Sequence, residues 1–158
     1  MNDDPADGWF GESVAARYDE PLGVESAPDE IEDTVALLAE LAGDGPVLEL
    51  AIGTGRIGAP LAARGLDVHG IELSRAMAAR IAGKPGAERV RVTIGDMTTT
   101  RVAGEFSLAY LVFNTINNVT TQDGQVQCFV NAAEHLRPGG HFVVEVGVPA
   151  LRRLPPGQ

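Results

Sequence analysis

Apolar positions follow two different periods along the chain. Residues 1–27 keep neither: they are rich in Asp, Gly and Pro, with one short amphipathic piece at Ser13–Tyr18. From Pro28 the pattern changes. Pro28, Asp29 and Glu30 suit a helix start, and Ile31, Val35, Leu38 and Leu41/Ala42 recur at helical spacing. Gly43-Asp44-Gly45-Pro46 ends that helix, and Val47-Leu48-Glu49-Leu50-Ala51 reads as a buried strand running into the turn Gly53-Thr54-Gly55. Arg56 to Arg64 is expected to be helical, with Gly65 closing it.

The cycle then repeats. Val68–Glu72 reads as a second strand, and Ser74 caps a helix expected over Arg75–Ala82. Val90–Ile94 is a third strand and Phe106–Phe113 a fourth, too apolar to be half exposed. A helix from about Gln122 to Leu136 follows, with Val126, Phe129, Val130, Ala133 and Leu136 as its apolar stripe. Arg137-Pro138-Gly139-Gly140 stops it, and Phe142–Val146 is a fifth strand. Strands alternating with helices, and apolar on both faces, predict an α/β fold: a parallel sheet of five strands with helices on both faces.

Composition sets the class. A chain of 158 residues, 44% hydrophobic and 22% charged, is long enough for one domain and too apolar to be disordered. No apolar run approaches the roughly 20 residues of a membrane span, and the start, MNDDPADG, lacks the basic-then-apolar pattern of a secretory signal. A cytoplasmic protein with no membrane partner is expected. The single cysteine, Cys128, permits no internal disulfide, and His69, His135 and His141 have no metal-ligand spacing. The net charge of −10 is uneven: residues 1–44 carry thirteen Asp and Glu against one Arg, while the remainder is close to neutral. Neither part shows the basic stripe that phosphate backbones require, so nucleic acid is not expected as a partner.

The sharpest signal is the strand, glycine loop and helix in VLELAIGTGRIG, residues 47–58. Glycines serve where a ligand approaches main chain closely or a turn needs positive φ. Gly53-x-Gly55-x-x-Gly58 matches the dinucleotide fingerprint, and Glu72, 19 residues after Gly53, has the spacing of an acid that grips a ribose. A nicotinamide-dependent oxidoreductase is therefore a rival reading. Two features oppose it: a helix and some 45 residues precede the loop, and an acid, Glu49, sits inside the strand.

In these features the chain resembles the class I S-adenosylmethionine-dependent methyltransferases, especially small bacterial members containing LELAIGTGR. The resemblance covers about residues 13–149. VLELAIGTGR matches the first motif, HGIELS the second, GDM at 95–97 the third, and HLRPGGHFVVEV the turn and fifth strand. One departure is Ala51, where the family usually has the first of three glycines; alanine fits there if its φ stays negative. The resemblance implies a Rossmann-like sheet, S-adenosylmethionine as cofactor, and a division into a flexible acidic segment or lid, 1–27, and a cofactor-binding domain, 28–158. Seven strands are usual in the family, so the chain is expected to be incomplete at its C-terminus, lacking the last two. It is then expected to self-associate through the exposed fifth strand.

The resemblance also implies roles. Gly53 and Gly55 would bring the loop backbone, with Ala51, against the methionine portion, and Glu49 would receive its amino group. Glu72 would accept both ribose hydroxyls, with Leu73 beside it. Asp96 would accept from the adenine amino group, with Met97 at the ring, and Tyr18 would close over the methionine end. Structural readings stand beside these: a strand-end carboxylate for Glu72, a turn or cap for Asp96, plain packing for Tyr18. Asn114 could touch substrate or cap a turn, and Cys128 reads as core. No residue is assigned as general base. The segment FNTINN lacks the Asn/Asp-Pro-Pro-aromatic signature of amino-methylating nucleic-acid and protein enzymes, which favours a small-molecule acceptor. A catalytically silent cofactor-binding or interaction domain is the other alternative.

Overall fold

A computed structural model describes residues 7–20 and 28–148. The remainder of the acidic segment and the terminal stretch 149–158 lie outside the described residues. The elements are α1 (Glu12–Ala15), α2 (Pro28–Ala42), β1 (Val47–Leu50), α3 (Gly58–Ala63), β2 (Val68–Glu72), α4 (Arg75–Ala79), β3 (Val90–Ile94), β4 (Phe106–Leu111), α5 (Gln122–His135) and β5 (Leu136–Val144). The five strands form one parallel sheet in the order β3-β2-β1-β4-β5. This is the predicted Rossmann-like architecture. No helix among the described residues is long and apolar enough to cross a membrane.

The strand periodicity of two builds the core. Along β1, Val47 joins Val35, Leu38 and Ala42 of α2, Leu61 of α3, and Leu108 and Tyr110 of β4 in one cluster. Leu48 and Leu50 point the other way, into a cluster with Ala109 and Leu111 of β4 and Cys128 and Ala132 of α5. All four residues of β1 and all six of β4 are buried, so the central strands are covered on both faces. Each fully buried Leu or Val there contributes about 1.5–3 kcal/mol by leaving water.

Three expectations are corrected. The helices α3 and α4 are shorter than read, because tight turns occupy 53–57 and the residues after Arg80. The turn Arg137–Gly140 lies inside β5: pairing begins at Phe106–Leu136, skips, and resumes at Leu108–His141, with Gly139 at φ 81° absorbing the irregularity. Finally, α5 is rotated from its predicted facing. Cys128, Asn131, Ala132 and His135 are its buried residues, while Val126 (52%), Phe129 (48%) and Val130 (39%) are exposed. Two polar side chains thus displace apolar ones from the inner face.

Candidate functional site

In an open parallel sheet, ligands bind beyond the carboxyl ends of the strands, where the connections diverge to opposite sides. Here β1, β2 and β4 end together. The chain leaves β1 through three residues in the left-handed region: Ala51 (φ 57°), Gly53 (φ 58°) and Gly55 (φ 76°). The expectation of negative φ at Ala51 is wrong. A non-glycine residue there carries a strain of about 1–2 kcal/mol, and Ala51 lines the cavities described below.

Glu72, the last residue of β2, closes this corner. Its Oε2 accepts from the Gly53 N–H at 2.7 Å and its Oε1 from the Ser74 N–H at 2.9 Å. The side chain is 6% exposed. Burial pushes its pKa up, opposed by the backbone N–H donors of Ser74, Gly53 and Leu73. A carboxylate offers about four acceptor positions, so these backbone groups leave it capacity for a hydroxyl donor. Beyond Glu72, Ser74 caps α4 by accepting from the Met77 N–H at 3.0 Å and donates to the Phe10 carbonyl at 2.6 Å.

Glu49 occupies the opposite wall. It is 5% exposed, and a Cβ on Gly58 would come within 2.5 Å of its Oε2, so α3 can approach only because residue 58 is glycine. Register places Glu49 beside Tyr110. Neither Glu49 Oε2 nor the Tyr110 hydroxyl makes a formed hydrogen bond, although each perturbs the other's ionisation. Burial raises the Glu49 pKa from 4.5 to about 8; the Tyr110 hydroxyl opposes this and Glu72 adds to it.

The segment 7–20 packs over these ends through polar contacts. Asp7 accepts from the Arg75 N–H at 2.7 Å, and Glu12 pairs with Arg80. Asp19 accepts from the Thr54 hydroxyl and from Lys84, each at 2.6 Å. Arg56 donates to the Tyr18 carbonyl at 2.9 Å and lies over the rings of Tyr18 and Phe113, at 5.0 and 5.5 Å from their centroids. Tyr18 in turn meets Phe10 edge-on.

Two adjoining cavities result, of about 190 and 40 Å³, sharing Tyr18, Ala51, Gly53 and Thr115. Glu72, Leu73, Asp96 and Met97 line the larger, and Glu49 lines the smaller. Among the residues to which the resemblance gave a cofactor role, Gly55 alone lines neither. Its Cβ position abuts Ile81 at 3.0 Å, so its role is to let the loop pack on α4's trailing turn. Asp96 combines two readings: Oδ1 accepts from the Thr98 N–H and hydroxyl at 2.7 Å, which is a turn, while the residue faces the cavity. Asn114 is a turn residue at φ 59°, accepting from the Asn117 side chain and the Gly147 N–H. Cys128 is core. Sequence reading missed Phe10, Met77, Thr115, Asn118 and Val119 as lining residues; only FNTINN, directly after a strand, marked part of that wall.

Comparison with known proteins is consistent with this geometry. Residues 47–140 match the family model described as a methyltransferase domain. The chain is 28% identical over 137 residues to the "Putative methyltransferase YqeM" of Bacillus subtilis (strain 168), covering 85% of this chain and 54% of that protein. Among solved structures it resembles the CcbJ methyltransferase from Streptomyces caelestis, with 36% identity, a TM-score of 0.82, and 90% of this chain and 59% of the other covered. It also resembles S-adenosylmethionine-bound CalS10 from Micromonospora echinaspora, an amino pentose methyltransferase, with 27% identity, a TM-score of 0.64, and 82% and 54% covered. The chain thus spans between half and two-thirds of the length of these relatives.

Glu49 makes stability pH-dependent. Below pH 4.5 it is protonated in both the folded and the unfolded chain; between there and about pH 8 only the folded chain holds the proton. Its contribution is therefore lost as pH rises through that window. Urea unfolding of the wild type and Glu49→Gln at pH 5 and 9 should show the variant gaining relative stability at the higher pH. An unchanged difference between the two pH values would refute a buried, protonated Glu49.

Proposed function

The chain belongs to the methyltransferase-domain family, and from that premise we propose that it transfers the methyl group of S-adenosylmethionine to a small-molecule acceptor. The observation that carries the reading is Glu72, fixed by backbone N–H groups at the floor of the larger cavity and still able to accept from a hydroxyl. A ribose supplies two such hydroxyls. The second support is the orphaned, buried Oε2 of Glu49 in the adjoining cavity, since a burial this costly is relieved by a cationic amino group. The residues therefore fit the cofactor: Glu49 for the amino group, Glu72 for the ribose, Asp96 and Met97 for the adenine, and Ala51, Gly53 and Tyr18 for the methionine chain.

When bound, the sulfonium supplies an electrophilic methyl carbon. The protein's part is to align the acceptor with it and to exclude water. Tyr18 and Phe10, from the leading segment, sit where they can cover the cofactor, and we assign residues 1–27 the role of a lid. Three of the contacts across it are ion pairs partly open to solvent, each worth roughly 0–1 kcal/mol, which suits a cover that opens. A small acceptor in the cytoplasm, rather than a nucleic acid, agrees with the acidic charge of −10 and with the amino pentose acceptor class of CalS10.

Calorimetric titration tests the reading. S-adenosylhomocysteine should bind, NAD should not, and Glu72→Ala should cost about 1.5–3 kcal/mol of binding, the range for hydrogen bonds to a charged group. Saturating ligand should also slow hydrogen exchange of residues 9–20. Binding of NAD without S-adenosylhomocysteine refutes the proposal, and equal exchange in both states refutes the lid.

The β5 edge carries a further proposal, that two copies of the chain pair through it. Among the described residues β5 hydrogen-bonds only to β4, and the run beyond it leaves Val146 (53%) and Val148 (88%) exposed. Unpaired backbone on an apolar edge recruits another strand. Light scattering over a concentration series should show association; a strict monomer at high concentration rules it out.

A further inference from the structure

The loop Gly95–Val102 carries Asp96 and Met97, yet it belongs to neither flanking strand. Its own turn accounts for part of its shape: the Thr99 and Thr100 N–H groups both donate to the Asp96 carbonyl, at 3.1 and 2.8 Å. At its start the Gly95 N–H donates to the Glu72 carbonyl at 2.9 Å, and the hold on the rest of the loop comes from the inner face of α5. The Asn131 amide nitrogen donates to the Met97 carbonyl at 2.6 Å and to the Thr100 carbonyl at 3.1 Å. One helical turn on, His135 bonds the Asn131 carbonyl through Nδ1 at 2.7 Å. With Nδ1 the donor, Nε2 accepts from the Val102 N–H at 3.0 Å.

Plain packing does not call for these two side chains. Asn131 and His135 are 0% and 2% exposed and sit among Cys128, Ala132 and Phe106, where an apolar residue would fill the space at no polar cost. Asn131 even leaves its Oδ1 buried without a partner, a cost of about 1–3 kcal/mol. That expense is offset because two loop carbonyls and one loop N–H, otherwise turned into an apolar layer, find partners. α5 thereby gives up apolar positions on its inner face, and Val126, Phe129 and Val130 turn outward.

We propose that Asn131 and His135 are positioning residues that fix the Gly95–Val102 loop so that Asp96 can read the adenine amino group. The assignment rests on the function proposed above. Asp96 is exposed at the cavity, with Oδ1 held by Thr98 and Oδ2 without a partner among the described residues. Its placement depends on where Met97 and Thr100 are held, because it is joined to both through one turn. Asn131 fixes those two carbonyls from behind, and His135 anchors the point where the loop leaves for β4.

The test compares S-adenosylhomocysteine with S-inosylhomocysteine, in which a carbonyl replaces the adenine amino group. Wild-type protein should prefer the adenine ligand by about tenfold or more, since a site built to accept a hydrogen bond rejects an analogue lacking the donor. In Asn131→Ala and His135→Ala the preference should fall to about threefold or less, through weaker binding of the adenine ligand alone. His135→Gln, which keeps an acceptor for Val102, should retain most of it. Asn131→Asp keeps the shape and removes both donors, so it decides the matter if Asn131→Ala does not fold. Equal weakening of both ligands, or an unchanged preference in a folded variant, overturns the positioning role alone. So does a wild type that binds both ligands equally. A wild type that binds neither overturns the function on which the role rests.

Discussion

Two backbone N–H groups from different elements converge on one buried carboxylate, and the site is organised around that convergence. Gly53 belongs to the turn after β1 and Ser74 to the start of α4; Glu72, at the end of β2, takes one bond from each. The β1 turn can reach Glu72 only by passing through positive φ at Ala51 and Gly53. Ser74, held at its own N–H, is then free to cap α4 and to receive the leading segment at the Phe10 carbonyl. Floor, wall and cover of the larger cavity all trace back to this carboxylate. Charge-assisted bonds of this kind contribute about 1.5–3 kcal/mol each, more than neutral ones.

The same corner concentrates energetic cost. Among the described residues, three that are not glycine have positive φ, Ala51, Phe113 and Asn114, and all lie just past the ends of β1 and β4. Glu49 is buried with an unpartnered oxygen between them. Strain and buried polarity of this kind persist only when the surrounding structure over-determines them. The buried central strands supply that rigidity: β1 and β4 are covered by α2 and α3 on one face and by α5 on the other. The interior of the sheet thus stabilises a costly rim where the chemistry is proposed to occur.

Much of this was legible in the sequence, for identifiable reasons. The central strands were legible because burial on both faces produces continuous apolar runs such as Phe106–Leu111. Glu72 stood out by its spacing from the glycine loop, and Glu49 and Asp96 by the family motifs they resemble; all three line the cavities. The facing of α5 was not. Hydrophobicity favoured Val126, Phe129 and Val130, while the inner face is set by loop groups that Asn131 and His135 satisfy. The φ of Ala51 was hidden because alanine reads as a strand continuation. Phe10 and Met77 reach the cavity only through tertiary packing of segments far apart in the chain, for which the local pattern carries no signal.

The convergence on Glu72 can be watched directly. In an amide-resolved NMR titration with S-adenosylhomocysteine, the Gly53 and Ser74 N–H resonances report the carboxylate they bond. Hydroxyls arriving at Glu72 should shift both resonances together, saturating with the same affinity, and Glu72→Gln should abolish the coupled response. Saturating ligand that leaves both resonances unmoved, while others shift elsewhere in the chain, would contradict the account.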